Sequence, residues 1–334
     1  MGDRWLLPVG LVLAALLLGA ALLGPALSFH DPDLQLDPVA GRHLPPGSAR
    51  WLVELSDGRT LLAERWEAGP DGGLTLWRLG RSETLPARAA RPGEDGSPAR
   101  RVRFALGTDR FGRDLAARLL AGARISLGIG LSALALALTV GIAAGSLAAL
   151  GGRFVDTVVM RGADALLAFP RLFLALAAAA LLGPGLATVV TILAVTGWMG
   201  VARLVRAELL SNQEREWALA ARASGLSPAR IYFRHLLPNS LSPVLVDAAL
   251  RLGDTILVEA SLSFLGLGVQ PPRASWGSLI ADGRDALVSA WWVAAFPGAA
   301  VALAVLAFNL VGEGLRDRLD PRRAAAGLSP RTPC

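Results

Sequence analysis

The chain has 334 residues, of which 53% are hydrophobic and only 18% are charged. Soluble domains carry about a quarter charged residues, so this composition favours a membrane protein. The single cysteine, Cys334, excludes an intrachain disulfide framework and a cysteine-based metal site, and the net charge of +6 comes from 33 arginines without one lysine. A basic balance can indicate nucleic-acid binding, but no basic face lies on a soluble helix. Arginines that flank apolar segments are better explained as orientation signals, and no nucleic-acid partner is expected.

The first apolar segment covers residues 5–27 and is long enough for a transmembrane helix, which needs roughly 20 apolar residues. Arg4 precedes it, and Pro25 lies near its end. A cleaved signal peptide is the alternative, because Ala26-Leu27-Ser28 resembles a small-residue cleavage site. The apolar run exceeds the roughly 7–15 residues of a signal-peptide core, so we expect it to stay attached as an anchor.

Residues 28–106 form the one sizeable soluble segment. Three stretches alternate apolar and polar residues between Gly- and Asp-containing turns, namely residues 50–55, 59–66 and 74–79. They predict a small antiparallel β-meander with Trp66 and Trp77 on its buried face. A few short strands can hardly bury a core by themselves. We therefore expect the insert to pack against the membrane domain or against a partner. Residues 88–103 are predicted to be a flexible linker; the insert is expected to be a spacer, with substrate docking as the alternative.

Five further apolar segments qualify as membrane spans, at about residues 125–150, 166–182, 186–201, 244–265 and 291–312. The third and fourth spans are joined only by Gly183-Pro184-Gly185, which predicts a tight turn between antiparallel neighbours. Small residues in the second span predict close helix–helix packing, namely Gly128, Gly130, Gly141 and Gly145. Six spans place both termini on the same side of the membrane.

Arginines in short loops set the orientation. Six follow the fourth span: Arg203, Arg206, Arg215, Arg222, Arg230 and Arg234. Four more follow the sixth span: Arg316, Arg318, Arg322 and Arg323. These loops, both termini and a tail of residues 322–334 are therefore predicted to be cytoplasmic. The arginines of residues 28–106 are balanced by Asp and Glu, and long segments cross largely regardless of charge, so this insert is predicted to lie outside.

The loop between the fourth and fifth spans, residues 214–238, has the pattern of two short helices. A helix over residues 214–223 should stop at Gly225, and a second should begin with Ser227 as its N-cap and Pro228 as its first residue. Pro238 is predicted to close the second helix. The alternative is an ordinary amphipathic cytoplasmic loop without a dedicated partner.

Within this loop, Ala220-Ala221-Arg222-Ala223-Ser224-Gly225 is followed by His235-Leu236-Leu237-Pro238-Asn239. This pair of motifs resembles the coupling-loop signature of binding-protein-dependent ABC importer permeases, and is most similar to the C-type permease subunit of dipeptide and oligopeptide importers. Leu219 stands where the general signature has Glu, while Glu216 lies about one helical turn earlier. The peptide-importer branch commonly tolerates this departure.

Three other regions carry the same resemblance, in order and with sensible spacing. They are residues 107–114 with 122–127, residues 259–268 with 270–272 and 276–277, and residues 307–310 with 314–321. Together with the loop they cover residues 107–321, roughly two thirds of the chain. The insert of residues 28–106 is longer than is usual in the family, which does not explain it.

The resemblance implies an all-α type I ABC importer permease (MetI-like) fold, with six transmembrane helices and a small β-rich extracytoplasmic insert. It implies a multi-pass protein of the inner membrane that moves di- or oligopeptides by alternating access. Partners would be a second permease subunit, two cytoplasmic ATPase subunits that hold ATP and Mg, and a periplasmic substrate-binding protein. Nickel or another small solute is the alternative cargo. The implied coupling residues are Glu216, Ala220, Ala221, Arg222, Gly225, His235, Leu237 and Pro238.

Enzymatic sites find little support in the sequence. A P-loop needs a lysine that reaches the β- and γ-phosphates, and the chain has none, so ATP hydrolysis is expected on a separate subunit. The three histidines, His30, His43 and His235, are isolated from one another and from the single cysteine, so neither a Cys–His pair nor a metal-binding HExxH helix exists. This chain is therefore expected to bind no metal or cofactor.

The fifth span contains four ionisable residues: Asp247, Arg251, Asp254 and Glu259. The first three lie within about 60° of arc on an ideal helix. Charges inside spans pair with each other or face a cavity, which predicts either an internal ion-pair ladder or contacts in the translocation path or to a sister permease. Proton coupling through these carboxylates, as in a secondary transporter, is the alternative function, and a scaffold without transport is a third class.

Overall fold

Helices make up most of the chain. The computed structural model describes residues 5–28, 30–69, 71–86, 88–92 and 96–319. The predicted cytoplasmic tail of residues 322–334, with Arg322 and Arg323, lies outside the described residues, as does Arg4.

The long helices in chain order are α1 (Leu6–Leu27), α2 (Leu115–Leu150), α3 (Gly152–Leu167), α4 (Arg171–Leu182), α5 (Leu186–Val195) and α6 (Trp198–Gln213). They are followed by α7 (Glu216–Ala223), α8 (Pro228–Ile231), a π-helix (Tyr232–Leu236), α9 (Leu237–Phe264), α10 (Trp276–Gly283), a 3₁₀ turn (Arg284–Ala286) and α11 (Trp292–Leu319).

Four helical segments of the described chain are long and apolar enough to cross a membrane: Leu6–Gly24, Leu115–Leu150, Leu186–Gln213 and Trp292–Leu319. The pair α3 and α4 would form a fifth, although the two helices are bent by 89° relative to each other. The described chain is thus a mostly helical protein with four or five apolar spans. The predicted fifth span corresponds to α9, which is 28 residues long but too rich in ionisable side chains to be counted by composition.

Two predicted span boundaries were wrong. The continuous helix predicted over residues 166–182 is broken: α3 ends at Leu167 and α4 begins at Arg171, after Pro170, which has no amide hydrogen to continue α3. The span predicted over residues 186–201 runs on through α6 to Gln213. Arg203 and Arg206 therefore lie within a helix and not in the loop that follows it.

The chain divides into two compact units, and the first comprises residues up to Leu18, Ser126–Gly268 and residues from Val301 onward. In this unit α2 approaches α6 at glycines, as predicted: a Cβ on Gly145 would lie 2.5 Å from the carbonyl oxygen of Ala202. Gly130 similarly faces Ile256 of α9, whereas a Cβ on Gly128 would meet nothing within 4 Å. The turn at Gly183 joins α4 to α5, and these two helices pack against each other.

The second unit comprises Gly19–Ile125 and Val269–Ala300, and its described residues contain six strands. They are β1 (Ser48–Glu54), β2 (Thr60–Ala63), β3 (Arg65–Ala68), β4 (Leu74–Arg78), β5 (Arg81–Leu85) and β6 (Arg100–Phe104). The strands form two antiparallel sheets, ordered β2-β1-β6 and β3-β4-β5, where one meander was predicted. The predicted strand over residues 59–66 splits at Glu64 into β2 and β3, which belong to different sheets.

Two details of the insert were predicted incorrectly. Trp66 pairs with Leu76 and packs on the buried cluster around Val53, but Trp77 pairs with Arg65 on the opposite face, where the guanidinium lies 4.6 Å from its ring centroid. The predicted linker of residues 88–103 contains most of β6, which pairs with β1. Its arginines point outward while Val102 and Phe104 are buried.

The insert buries apolar clusters of its own. One of them is formed by Leu36, Ala40, Leu44, Leu52, Leu62, Val102 and Phe104. Beside it the buried carboxylate of Asp37 accepts hydrogen bonds from the amides of Ala40 (2.9 Å) and Leu62 (2.9 Å) and from Arg78 (2.6 Å). Because Leu62 lies in β2 and Arg78 in β4, this carboxylate connects the two sheets. Nothing in the periodicity of the sequence indicated this role.

Candidate coupling site

The predicted turn between the two short helices is present at Gly225. Helix α7 ends at Ala223, and Gly225 adopts a φ of +73°, with its amide donating to the carbonyl of Arg222 at 3.0 Å. A Cβ at this position would meet nothing within 4 Å. The glycine is therefore required by its left-handed backbone conformation and not by lack of space. Glu216 in the first turn of α7 and Arg222 in the last complement the helix dipole.

The second short helix begins as predicted but does not end as predicted. The hydroxyl of Ser227 accepts a hydrogen bond from the amide of Arg230 at 3.4 Å, and Pro228 is the first residue of α8. After the π-helix, α9 starts at Leu237, so Pro238 lies in its first turn instead of closing a helix.

The alanines of α7 point in different directions. Ala218 is fully buried in a cluster with Val201, Val205, Leu209, Ile231, Leu236 and Val244. Ala221 is partly buried against the same cluster, whereas Ala220 is exposed. Of the two alanines predicted to face a partner, only Ala220 is open to one. Ala218 was missed, although its spacing of three residues from Ala221 is that of one helical face.

The outward surface of the loop combines large apolar and basic side chains. Trp217, Leu219 and Phe233 have exposed fractions of 38%, 50% and 68%. Around them lie four exposed arginines, Arg215, Arg222, Arg230 and Arg234. Exposed apolar groups beside charged ones are typical of protein-docking surfaces. We name the set of exposed residues Trp217, Leu219, Ala220 and Phe233 the loop patch; Trp217 and Leu219 lie two residues apart on α7 and therefore face different sides of the helix.

Hydrogen bonds fix the base of the loop to neighbouring helices. The hydroxyl of Tyr232 donates to that of Ser146 in α2 at 2.7 Å, and the amide of Asn212 donates to the hydroxyl of Ser240 at 2.9 Å. The side chain of Asn239 donates to the carbonyl of His235 at 2.6 Å, and His235 and Leu237 are both half-buried. The loop is thus exposed at α7 and held firmly at both ends.

The ionisable residues of α9 do not form a single ladder. Asp247 pairs with Arg251 within the helix, but Asp254 pairs with Arg171 of α4, which also donates to the hydroxyl of Thr255 at 3.2 Å. Glu259 is fully buried and accepts hydrogen bonds from the hydroxyls of Ser126 (3.0 Å) and Ser263 (2.7 Å). Among the described residues, no cluster of three or more His, Cys, Asp or Glu side chains could hold a metal ion.

Comparison with known proteins gives matches over the region that contains this loop. The family described as binding-protein-dependent transport system inner membrane component matches residues 137–325. A putative peptide transport system permease protein of Brucella suis is 49% identical over 222 residues, which cover 66% of this chain and 75% of that one. The di/tripeptide transport system permease protein DppC of Pseudomonas aeruginosa is 45% identical over 221 residues, covering 66% and 73%. An inward-facing structure of the MetNI methionine ABC transporter aligns with a TM-score of 0.49 and 19% identity over 61% of this chain and 97% of that one.

Proposed function

The chain belongs to the family of binding-protein-dependent transport system inner membrane components, and we propose that residues 214–238 are the segment through which a separate ATPase subunit drives it. The chain is the permease component of an ABC importer, with relatives named as peptide permeases at 45–49% identity over two thirds of its length. This assignment leaves no role for the ion-coupled alternative.

One observation carries the proposal for residues 214–238: the residues of the loop patch are exposed, yet the loop that bears them is anchored by buried packing and by hydrogen bonds. Ala218 anchors α7 in a buried cluster, and the hydroxyl of Tyr232 fixes the far side of the loop to α2. A partner that pushed on Trp217 or Leu219 would therefore move α6 and α9 as well, since both contribute to that cluster. A solvated loop without a partner would gain nothing from this construction.

The partners are proposed from the family. They are one further permease subunit, two cytoplasmic ATPase subunits and a periplasmic binding protein, with ATP and Mg on the ATPases. The chain contains no lysine and so lacks the group that a P-loop uses to contact the phosphates.

We propose six spans, with α9 and the bent pair α3 and α4 added to the four apolar helices. The 28 residues of α9 extend about 42 Å, more than the roughly 30 Å of a bilayer core. Asp247 and Asp254 are each paired with an arginine, and Glu259 accepts two hydroxyls, which lowers the cost of placing these charges in a membrane. With six spans and the arginine-rich loop of residues 214–238 inside, we propose that both termini are cytoplasmic and that the insert of residues 28–106 lies outside.

Peptides are the proposed cargo because the relatives are named as peptide and di/tripeptide permeases. Nickel or another small solute is the alternative. Uptake of a labelled dipeptide and of Ni²⁺ by cells with and without the gene separates them: loss of dipeptide uptake alone supports the proposal, and loss of Ni²⁺ uptake alone contradicts it.

The coupling proposal is tested with variants that respect the observed packing. Ala221 contacts the buried cluster, so Ala220→Glu is the better probe of a partner surface. We expect Ala220→Glu and Gly225→Val to insert normally but to lose ATPase binding or substrate-stimulated ATP hydrolysis. Gly225→Val fails because a β-branched residue strains at positive φ, whereas Gly225→Asn should retain activity because Asn tolerates this conformation.

The matched control is Ser211→Glu, which adds the same charge at an exposed position of α6 outside the loop. Uptake and ATP hydrolysis are measured in reconstituted vesicles, with a pull-down of the ATPase subunit. Full coupling in both Ala220→Glu and Gly225→Val would remove the basis of the proposal.

A further inference from the structure

Two ion pairs connect α3 to α6. The carboxylate of Asp156 accepts two hydrogen bonds from the guanidinium of Arg206, one of them at 2.6 Å from a terminal nitrogen. One turn past the middle of α3, Asp164 accepts from Arg203 at 2.6 Å. These four side chains line a polar cleft of about 520 Å³ together with Thr157, Met160 and Arg161.

Little apolar packing holds α3 in place. Of its 16 residues only Ala163 is buried, and Phe154 and Val158 have exposed fractions of 80% and 55%. The helix begins at Gly152, which has a φ of +80°, and ends at the 89° bend before α4. Both connections are places where a chain can change direction. The position of α3 within this unit therefore depends strongly on its two ion pairs.

On the other side of these pairs, α6 leads directly into the proposed coupling loop. Only Glu214 and Arg215 separate α6 from α7, and Ala218 of α7 packs in the same cluster as Val205 and Leu209 of α6. A displacement of α7 is thus passed to α6 by covalent connection and by packing.

We propose that Asp156–Arg206 and Asp164–Arg203 are positioning pairs that make α3 follow α6 when the coupling loop moves. The proposal rests on the function proposed for residues 214–238. It assigns these four residues a role in transmitting movement toward α4, with no contact to substrate or nucleotide. Asp164–Arg203 is exposed and Asp156–Arg206 is half-buried. Ion pairs that solvent can reach contribute little to global stability, so removing their charges should leave the fold intact and show the transmission defect alone.

The movement is measured directly with spin labels. Because Cys334 is the one cysteine of the sequence, Cys334→Ser gives a cysteine-free background. Labels replace the exposed residues Val158 in α3 and Ser211 in α6, and their separation is measured by double electron–electron resonance in the reconstituted importer, with and without ATP. In the parent protein we expect the distance between the two labels to be the same with and without ATP. In the Asp156→Asn, Asp164→Asn variant we expect a second label distance to appear. A parent distance that changes with ATP, or a variant that keeps the single distance, overturns the proposal.

Transport gives the second readout. Uptake per ATP hydrolysed should fall by roughly two- to tenfold in the Asp156→Asn, Asp164→Asn variant, the range that two solvent-accessible ion pairs can supply. Asp156→Arg alone and Arg206→Asp alone should each lower the uptake per ATP hydrolysed. The double variant, in which the two charges are exchanged, should restore it. The matched control is Arg153→Gln, since Arg153 is exposed on the same helix and its side chain has no ion pair within the described part of the chain.

The two proposals fail in different ways. Normal coupling in Gly225→Val and Ala220→Glu would contradict the role of residues 214–238, whatever the ion pairs do. If those variants uncouple transport but the charge exchange restores nothing, or Arg153→Gln lowers the ratio equally, the positioning role of the pairs is wrong while the coupling loop stands.

Discussion

Adding one methyl group at Gly145 should force α2 away from α6. A Cβ on Gly145 would lie 2.5 Å from the carbonyl oxygen of Ala202 and 2.9 Å from the Cβ of Val205. Both distances are far below van der Waals contact. The nearest atom belongs to the backbone of α6, so no rotation of a side chain can relieve the overlap. One turn earlier, Gly141 is equally constrained, with Val201 at 2.6 Å.

The expected loss of stability follows from two opposing effects. Overpacking a well-packed site costs typically about 1–3 kcal/mol, and a clash with backbone belongs in the upper part of that range. Replacing glycine by alanine inside a helix returns up to about 1 kcal/mol. The net change for Gly145→Ala is therefore a destabilisation of roughly 1–2 kcal/mol.

Gly128 is the matched control, because it lies in the same helix and a Cβ there would meet nothing within 4 Å. Gly128→Ala should thus be neutral or slightly stabilising. Unfolding of the detergent-purified variants is followed by tryptophan fluorescence against temperature or denaturing detergent. If Gly145→Ala unfolds at the same midpoint as Gly128→Ala, Gly145 is not needed for the close approach of α2 and α6.

Two other predictions concern topology and the buried carboxylate. A phosphatase fusion placed after Gly80 should report an outside location, and a cytoplasmic signal from it would contradict the six-span topology. Glu259→Ala removes the acceptor of the Ser126 and Ser263 hydroxyls and should destabilise the protein by roughly 1–3 kcal/mol, while Glu259→Gln, which keeps an acceptor oxygen, should lose less. Equal unfolding midpoints for Glu259→Ala and the parent would contradict that account.

Local backbone structure was predictable from the sequence where a residue type strongly favours one conformation. Gly225 at positive φ, Ser227 as an N-cap and Pro228 at the start of α8 are cases of this kind. Pro238 was misjudged because a proline that ends one helix and a proline that begins the next have the same local pattern. Only the π-helix before it, which carries the chain into α9 without a break, distinguishes them.

Packing partners were less predictable, because periodicity identifies a face but not what covers it. Ala220 and Ala221 are adjacent and alike in sequence, yet one is exposed and the other contacts the cluster around Val205. In the insert, β6 is mostly arginine, and its two inward residues, Val102 and Phe104, were too few to indicate a strand. A paired strand was therefore predicted as a linker.

The charges of α9 show why spacing along one helix cannot assign ion pairs. Asp247, Arg251 and Asp254 share an arc, so Arg251 could in principle serve either carboxylate. In the structure it pairs with Asp247, because Arg171 reaches Asp254 from the first residue of α4. The charge balance of α9 therefore depends on Arg171, which lies 83 positions before Asp254 in the chain. The two carboxylates consequently pair with different helices: Asp247 pairs within α9, and Asp254 pairs with α4. If α3 follows α6 as proposed, the Arg171–Asp254 pair gives that movement a second connection to α9, beside the direct packing of α6 against Val244.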